Sequence, residues 1–273
     1  MALTNEQIKE EVRQGYTERV EQGGGCGRCG CEAEAHLIDN LGYTPDQLDD
    51  VPADAVESAF GCGNPLSCAG VASGDVVLDI GSGAGIDCLI AARKVGDTGK
   101  VIGLDMTPAM VERARHNARE AGVANAEFRM GDAEDMPIDD QSVDWVISNC
   151  VINLAPDKHR VFAEVCRVLK PGGRVAISDI VLGDELPDEV VASVDALVGC
   201  LAGAIRESEY LEAMRAAGLQ DVVVSARRVY GAGEIEGLLD CGCGSDAEDL
   251  FQRCKDRIVD KVWSARLEAR KPQ

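Results

Sequence analysis

The run Val76–Asp87, VVLDIGSGAGID, constrains this chain more than any other stretch. An apolar segment ends in an acid, Asp79, and passes into a turn holding Gly81, Gly83 and Gly85, after which a helical pattern resumes. Glycines let the backbone turn tightly and approach a ligand with no Cβ in the way. A helix that begins there offers unpaired N–H groups and the positive end of its dipole. This order predicts a parallel α/β unit with a nucleotide-type cofactor site at the end of its first strand.

The pattern continues downstream. From residue 75 apolar runs and helical patterns alternate, which favours a parallel sheet wrapped in helices. Strands are expected near 76–80, 100–105, 126–130, 143–149, 173–180, 221–230 and 262–269. Helices are expected near 85–95, 108–121, 157–169, 187–198, 207–217 and 246–261, with Lys170-Pro171-Gly172-Gly173 marking a step from helix to strand. Ahead of the sheet, Ile8, Val12, Tyr16 and Val20 recur every four residues, and Thr4 with Gln7 fits a capping box, so residues 4–20 read as an amphipathic helix. A glycine-rich loop with Cys26, Cys29 and Cys31 follows, then a short helix over 32–41, a turn at Thr44-Pro45-Asp46 and a loop over 61–70. Residues 231–245 read as a second glycine-rich loop. The chain divides into an N-terminal helical, cysteine-rich segment (1–70), a cofactor-binding domain (71–185) and a region covering the acceptor side with a final helix and strand (186–273).

Composition narrows the partners. A net charge of −21 argues against nucleic acid and anionic membrane. No apolar run approaches the roughly 18 residues of a membrane helix, and the N-terminus lacks a signal-peptide pattern, so a cytoplasmic location is expected. Twelve cysteines without such a signal are expected to be mostly reduced thiols, which directs attention to metal, metalloid or redox chemistry.

The identity of the cofactor is read from four strand ends. Ile86 stands where a nicotinamide-binding loop would place its third glycine. The second strand ends at Asp105, an acid placed to take the two hydroxyls of a ribose. Gly131-Asp132-Ala133-Glu134 follows the third strand, and Ser148-Asn149-Cys150 ends the fourth. This ordered set resembles the class I S-adenosylmethionine-dependent methyltransferases from about residue 75 to 230. The resemblance implies that Asp79 and the loop of Gly81, Ser82, Gly83 and Gly85 face the methionine end of S-adenosylmethionine. It places Asp105 on the ribose, Met106 beside the adenine, Asp132, Ala133 and Glu134 along the adenine edge, and Asn149 at the pocket floor.

The acceptor is the second question. Transfer to oxygen or nitrogen needs a base or a metal in most cases, yet the chain has three histidines, His36, His116 and His159, all read as solvated. Sulfur clusters instead: Cys150 just past the fourth strand, Cys200 beyond the fifth and Cys62 before the first. Cys88, Cys166 and Cys254 lie within helical patterns and read as packing residues. Taken together, GCGNP, VIGLDMTPAM, SNCVINLAPDK, RVLKPGGR, ISDIV and VGCLAGAI resemble the arsenite S-adenosylmethionine methyltransferases over about residues 10–230. That resemblance implies that Cys62, Cys150 and Cys200 bind trivalent arsenic and that Tyr16 belongs to the cofactor site. It also implies that Cys26, Cys29 and Cys31 are accessory thiols, with Cys29 or Cys31 a further redox-active one.

Soft thiolates suit a thiophilic centre. Arsenic held by three sulfurs keeps a lone pair able to attack a sulfonium methyl in line, and it has no proton for a base to remove. The reading therefore expects a monomeric enzyme that takes trivalent arsenic as a thiol complex and is restored by glutathione or thioredoxin. Two alternatives stand beside it: a methyltransferase of a small organic acceptor, and a thiol module that sequesters arsenic or zinc. The second is motivated by Cys26-x-x-Cys29 and the Cys241-Gly242-Cys243 segment.

Overall fold

The computed structural model describes residues 4–21, 41–193, 200–239 and 246–273. Its centre is one sheet of seven strands: β1 (Val76–Ile80), β2 (Lys100–Asp105), β3 (Ala126–Met130), β4 (Val143–Asn149), β5 (Leu169–Leu182), β6 (Gln220–Val229) and β7 (Val262–Arg270), in the order β3-β2-β1-β4-β5-β7-β6. The first five strands run parallel, and β7 is antiparallel to both β5 and β6. Strand order reverses between β1 and β4, where Ile80 sits opposite Ser148. In open α/β sheets such a switch point opens a crevice at the carboxyl ends of the strands. Asp79, Asp105 and Asn149 all fall at those ends.

The β1 strand is buried on both faces, as a central parallel strand must be. Leu78 and Ile80 pack with Val146, Ile177, Phe162 and Tyr210 on one side. Val77 packs with Val101, Ile147 and Leu89 on the other. Flanking helices supply the outer layers: α1 (Asn5–Glu21), α2 (Pro45–Leu48), α3 (Ala53–Glu57), α4 (Ile86–Val95), α5 (Pro108–Glu120), α6 (Lys158–Val168), α7 (Asp188–Val191), α8 (Glu207–Ala216), α9 (Ala232–Leu239) and α10 (Asp246–Ile258). A third apolar cluster lies over the carboxyl end of the sheet and joins Val12 of α1 to Cys62, Cys150, Cys200, Tyr230 and Phe251.

The expected capping box of α1 forms, with Thr4 N–H donating to Gln7 Oε1 (2.9 Å) and Gln7 N–H to Thr4 Oγ1 (3.3 Å). Three local expectations are corrected. The turn at Thr44-Pro45-Asp46 is the start of α2, capped by Thr44 and Gln47. It is followed by α3, in a stretch where no element was expected. Lys170–Gly173 does not separate helix from strand, because β5 already begins at Leu169 and runs through both glycines with a register irregularity against β4. Residues 232–239, read as loop, form α9, since Ile235 and Leu239 are buried against the cluster containing Leu250 and Phe251 of α10. Tertiary burial there outweighs the low helix propensity of glycine. The helix expected over 187–198 is described as α7 and the turn that follows it to residue 193; residues 194–199, most of the helix expected over 32–41, and residues 240–245 lie outside the described residues.

Candidate active site

An open-mouthed cleft of about 1000 Å³, the solvent at its mouth included, lies over the ends of β1, β2 and β4, with α1 along one side. Its floor is the glycine turn. Gly81 adopts φ +72°, and a Cβ there would lie 2.2 Å from Val151 Cγ2, so glycine is required both by conformation and by contact. Gly85, at φ 97°, caps α4 and stands just outside the cleft wall. Asp105 ties the turn to β2: its Oδ2 accepts from Gly83 N–H (2.9 Å) and its Oδ1 from Thr107 N–H (2.8 Å).

Three carboxylates share this floor. Asp79 is buried, and burial followed by the charge of Asp87 pushes it well above the ordinary carboxylate range. Asp87, in the first turn of α4, is pushed up to about 6 by burial, which its hydrogen bonds from Asn149 and Tyr43 only partly offset. Burial also raises Asp105. Such a cluster favours a cationic ligand. Ser82 Oγ is buried in the same wall with no hydrogen-bond partner. A ligand with a sulfonium, an ammonium, a ribose and polar atoms for Ser82 fits this donor set, and S-adenosylmethionine has all four.

Met106, Asp132, Ala133 and Tyr16 of α1 also line the cleft. Glu134 is buried behind the wall; its Oε1 accepts from Asp157 N–H (2.8 Å). Lys9 of α1 bridges the two acids, with Nζ 2.6 Å from Asp132 Oδ2 and 2.7 Å from Glu134 Oε2. Sequence reasoning passed over Lys9, because a lone lysine in an amphipathic helix gives no sign of its partners more than 120 residues away.

The three expected thiols share one buried cluster. Cys62, Cys150 and Cys200 all lie in it beside the cleft, and Cys150 also lines the cleft. The neighbouring thiols of Cys200 and Cys62, then burial, hold the Cys150 thiol well above the usual thiol range. Burial raises Cys62 as well. Cys200 Sγ donates to Cys150 O (2.9 Å) and lies 3.8 Å from the Tyr16 hydroxyl. Cys150 and Cys200 both adopt left-handed backbone conformations, at φ 61° and 64°. A non-glycine residue held there costs about 1–3 kcal/mol, and such strain concentrates at functional positions.

A buried acid that sequence reasoning missed, Asp179 of β5, completes this wall. One of its oxygens and the sulfurs of Cys62 and Cys150 all lie within 4.8 Å of one another. Burial pushes Asp179 up to about 6, and Tyr210 and Asn153 donate to it. Its alternating apolar surroundings, ISDIV, were legible, but the fold had to bring β5 to β4 before its neighbours were known.

Cys88 donates to Asp79 Oδ2 (3.2 Å) from within α4 and does not line the cleft. Among the described residues no histidine lines the cleft; His159 is exposed and His116 pairs with Glu120 on the surface. Cys26, Cys29, Cys31, Cys241, Cys243 and His36 lie outside the described residues.

The sheet order and the cleft at its switch point define a class I S-adenosylmethionine-dependent methyltransferase. Residues 72–218 match the family model described as a methyltransferase domain. The chain is 48% identical over 204 residues to the arsenite methyltransferase of Halobacterium salinarum, covering 75% of this chain and 51% of that protein. It is 33% identical over 213 residues to the human arsenite methyltransferase, covering 75% and 56%. The crystal structure of CrArsM, an arsenic(III) S-adenosylmethionine methyltransferase from Chlamydomonas reinhardtii, superimposes with a TM-score of 0.69 at 34% identity, covering 83% of this chain and 73% of that one. The chain belongs to the arsenite S-adenosylmethionine methyltransferases. It spans about half the length of the curated relatives it matches.

Proposed function

We propose that this chain transfers a methyl group from S-adenosylmethionine to trivalent arsenic held by Cys62, Cys150 and Cys200. The observation that carries the reading is the gathering of three thiols, from segments before β1, after β4 and after β5, into one buried cluster that reaches through Cys150 a cleft whose floor suits a cationic donor. The names borne by the relatives support the same chemistry.

The residues divide the work. S-adenosylmethionine, when bound, supplies an electrophilic methyl on a sulfonium centre. Asp79, Asp87 and Asp105 offer it negative charge; Tyr16, Met106, Asp132 and Ala133 line the remainder of its cleft. Cys62 and Cys150 rest protonated: burial disfavours the thiolate of Cys62, and the neighbouring thiols of Cys200 and Cys62, then burial, disfavour that of Cys150. Loading balances without a base: three thiols and arsenous acid give a trithiolate of arsenic and three waters, each thiol proton leaving with an arsenic-bound hydroxyl. Arsenic so held retains its lone pair as the nucleophile. The protein then acts by positioning, which in favourable cases removes about 7–11 kcal/mol of barrier. A thiol reductant, glutathione or thioredoxin, completes the cycle. This reading keeps the protein monomeric and cytoplasmic; no helix among the described residues is long and apolar enough to cross a membrane.

The test is to incubate Cys150→Ser and Cys200→Ser with arsenite, labelled S-adenosylmethionine and glutathione, and to separate the arsenic species. Methylarsenic formation is expected to fall by about 100-fold or more, the scale of a misplaced reactant, with donor affinity retained. Near wild-type rates in both variants would refute the reading. Methyl transfer to an organic acceptor without any arsenite-dependent turnover would favour the small-molecule alternative.

A further inference from the structure

The Asn149 side chain joins the floor of the donor cleft to the backbone that carries Cys62. Its Oδ1 accepts from Cys62 N–H at 3.0 Å. Its Nδ2 faces three acceptors: Gly63 O at 2.7 Å, Asp87 Oδ2 at 3.1 Å and the Tyr43 hydroxyl at 3.1 Å. Tyr43 in turn donates to Asp87 Oδ1 at 2.9 Å. An amide nitrogen has two hydrogens to give, so three acceptors compete for them. The loop packs closely on this side chain: a Cβ on Gly61 would stand 2.4 Å from the same Nδ2. On its far side the loop is fixed independently, by Ser264 Oγ donating to Cys62 O at 2.8 Å.

We infer that Asn149 is a positioning residue that couples occupation of the donor cleft to the hold on Cys62, so that the cationic donor and arsenic bind with positive cooperativity. The physical step is a redistribution of hydrogens. In the empty cleft the Asp87 carboxylate draws on both Asn149 and Tyr43. A cation in the cleft satisfies part of the charge on Asp87 and relaxes that demand. The Nδ2 hydrogens are then released toward Gly63 O, and the segment carrying Cys62 is clamped from both sides. The inference rests on the arsenic reading above and adds an energetic link between its two sites.

The experiment is calorimetric titration of arsenite into the reduced full chain, with and without saturating sinefungin, an amine analogue of the donor that transfers no methyl. In the native chain arsenite is expected to bind at least about five-fold more tightly with sinefungin present, the lower end of ordinary coupling. By linkage, arsenite must tighten sinefungin by the same factor. Asn149→Ala is expected to bring the factor below about two-fold. So is Tyr43→Phe, a near-isosteric change that removes one of the three competing acceptors and guards against a misfolded alanine variant. Ser264→Ala is expected to weaken arsenite binding yet keep the native factor, because it loosens the loop without touching the donor side.

A native factor within two-fold of unity overturns the inference, as does retention of the native factor in Asn149→Ala and Tyr43→Phe. Loss of the factor in Ser264→Ala as well would overturn it too, since generic loosening of the loop would then explain everything. Sinefungin binding with no arsenite binding at all would strike down the arsenic reading itself, and this inference with it.

Discussion

Lys9 is the cleft-side anchor of α1, and its loss should be measurable without any substrate. Its ammonium lies 2.6 Å from Asp132 and 2.7 Å from Glu134, with the lysine side chain 19% exposed and the two acids 34% and 4% exposed. A fully exposed pair would contribute about 0–1 kcal/mol. Removing one partner of a fully buried pair costs about 3–5 kcal/mol, because the remaining charge is left without compensation. Lys9 stands between these limits: Asp132 can turn to water, whereas Glu134 keeps the Asp157 N–H and the more distant charge of Lys158. Lys9→Met should therefore destabilise the fold by about 2–3 kcal/mol, read as a lower urea midpoint with an unchanged slope. Glu134→Gln in the same background removes the stranded charge and should recover more than half of that loss. The α1 helix would then depend more heavily on Arg113, whose guanidinium donates to Val20 O at 3.2 Å while holding Asp54 through its Nε at 2.8 Å. A Lys9→Met midpoint indistinguishable from the native one, or a double variant no more stable than Lys9→Met, would refute the reasoning.

Two further outcomes follow from the cleft floor. Asp87, at about 6 in the folded chain against about 3.9 unfolded, favours its proton in the fold; its contribution to stability is present below about pH 4 and is lost as pH rises toward 6. A cationic donor favours the carboxylate, so donor affinity should climb by up to about ten-fold per pH unit below pH 6 and then level, and Asp87→Asn should flatten that rise; an affinity constant from pH 5 to 7 would count against it. Gly81→Ala combines a φ of +72° with a Cβ placed 2.2 Å from Val151, and should destabilise by about 2–4 kcal/mol in urea unfolding. Adding Val151→Ala should return the steric share and leave the conformational one, and a Gly81→Ala chain as stable as the native one would show that the turn is free to move.

Much of the frame was legible because it depends on local pattern. Each strand from β1 to β4 begins and ends where alternating apolar runs and turn residues place it, since buried parallel strands are nearly continuous apolar segments. The failures are equally local in origin. Lys170–Gly173 carries strong turn residues, yet β5 continues through it: the register against β4 is broken there, and the segment just after β7 holds it, Gly172 N–H donating to Lys271 O at 3.1 Å and Lys271 N–H to Gly173 O at 2.8 Å. α9 lacks helix formers at two glycine positions and exists because its apolar face is covered by α10.

The site divides the same way. The glycine turn, Asp79, Asp105 and Asn149 could be placed from sequence, because the strand–turn–helix unit fixes each at a strand end and needs only neighbouring residues to do so. The suspicion that sulfur matters came from the chain alone as well, through the count and placement of cysteines. That Cys62, Cys150 and Cys200 share one buried cluster, that Asp179 sits against Cys62 and Cys150, and that Lys9 and Asn149 tie distant segments to the cleft were decided by tertiary structure. Those contacts span from tens of residues to about two hundred, and periodicity says which face a residue occupies but never which remote segment will be folded against it.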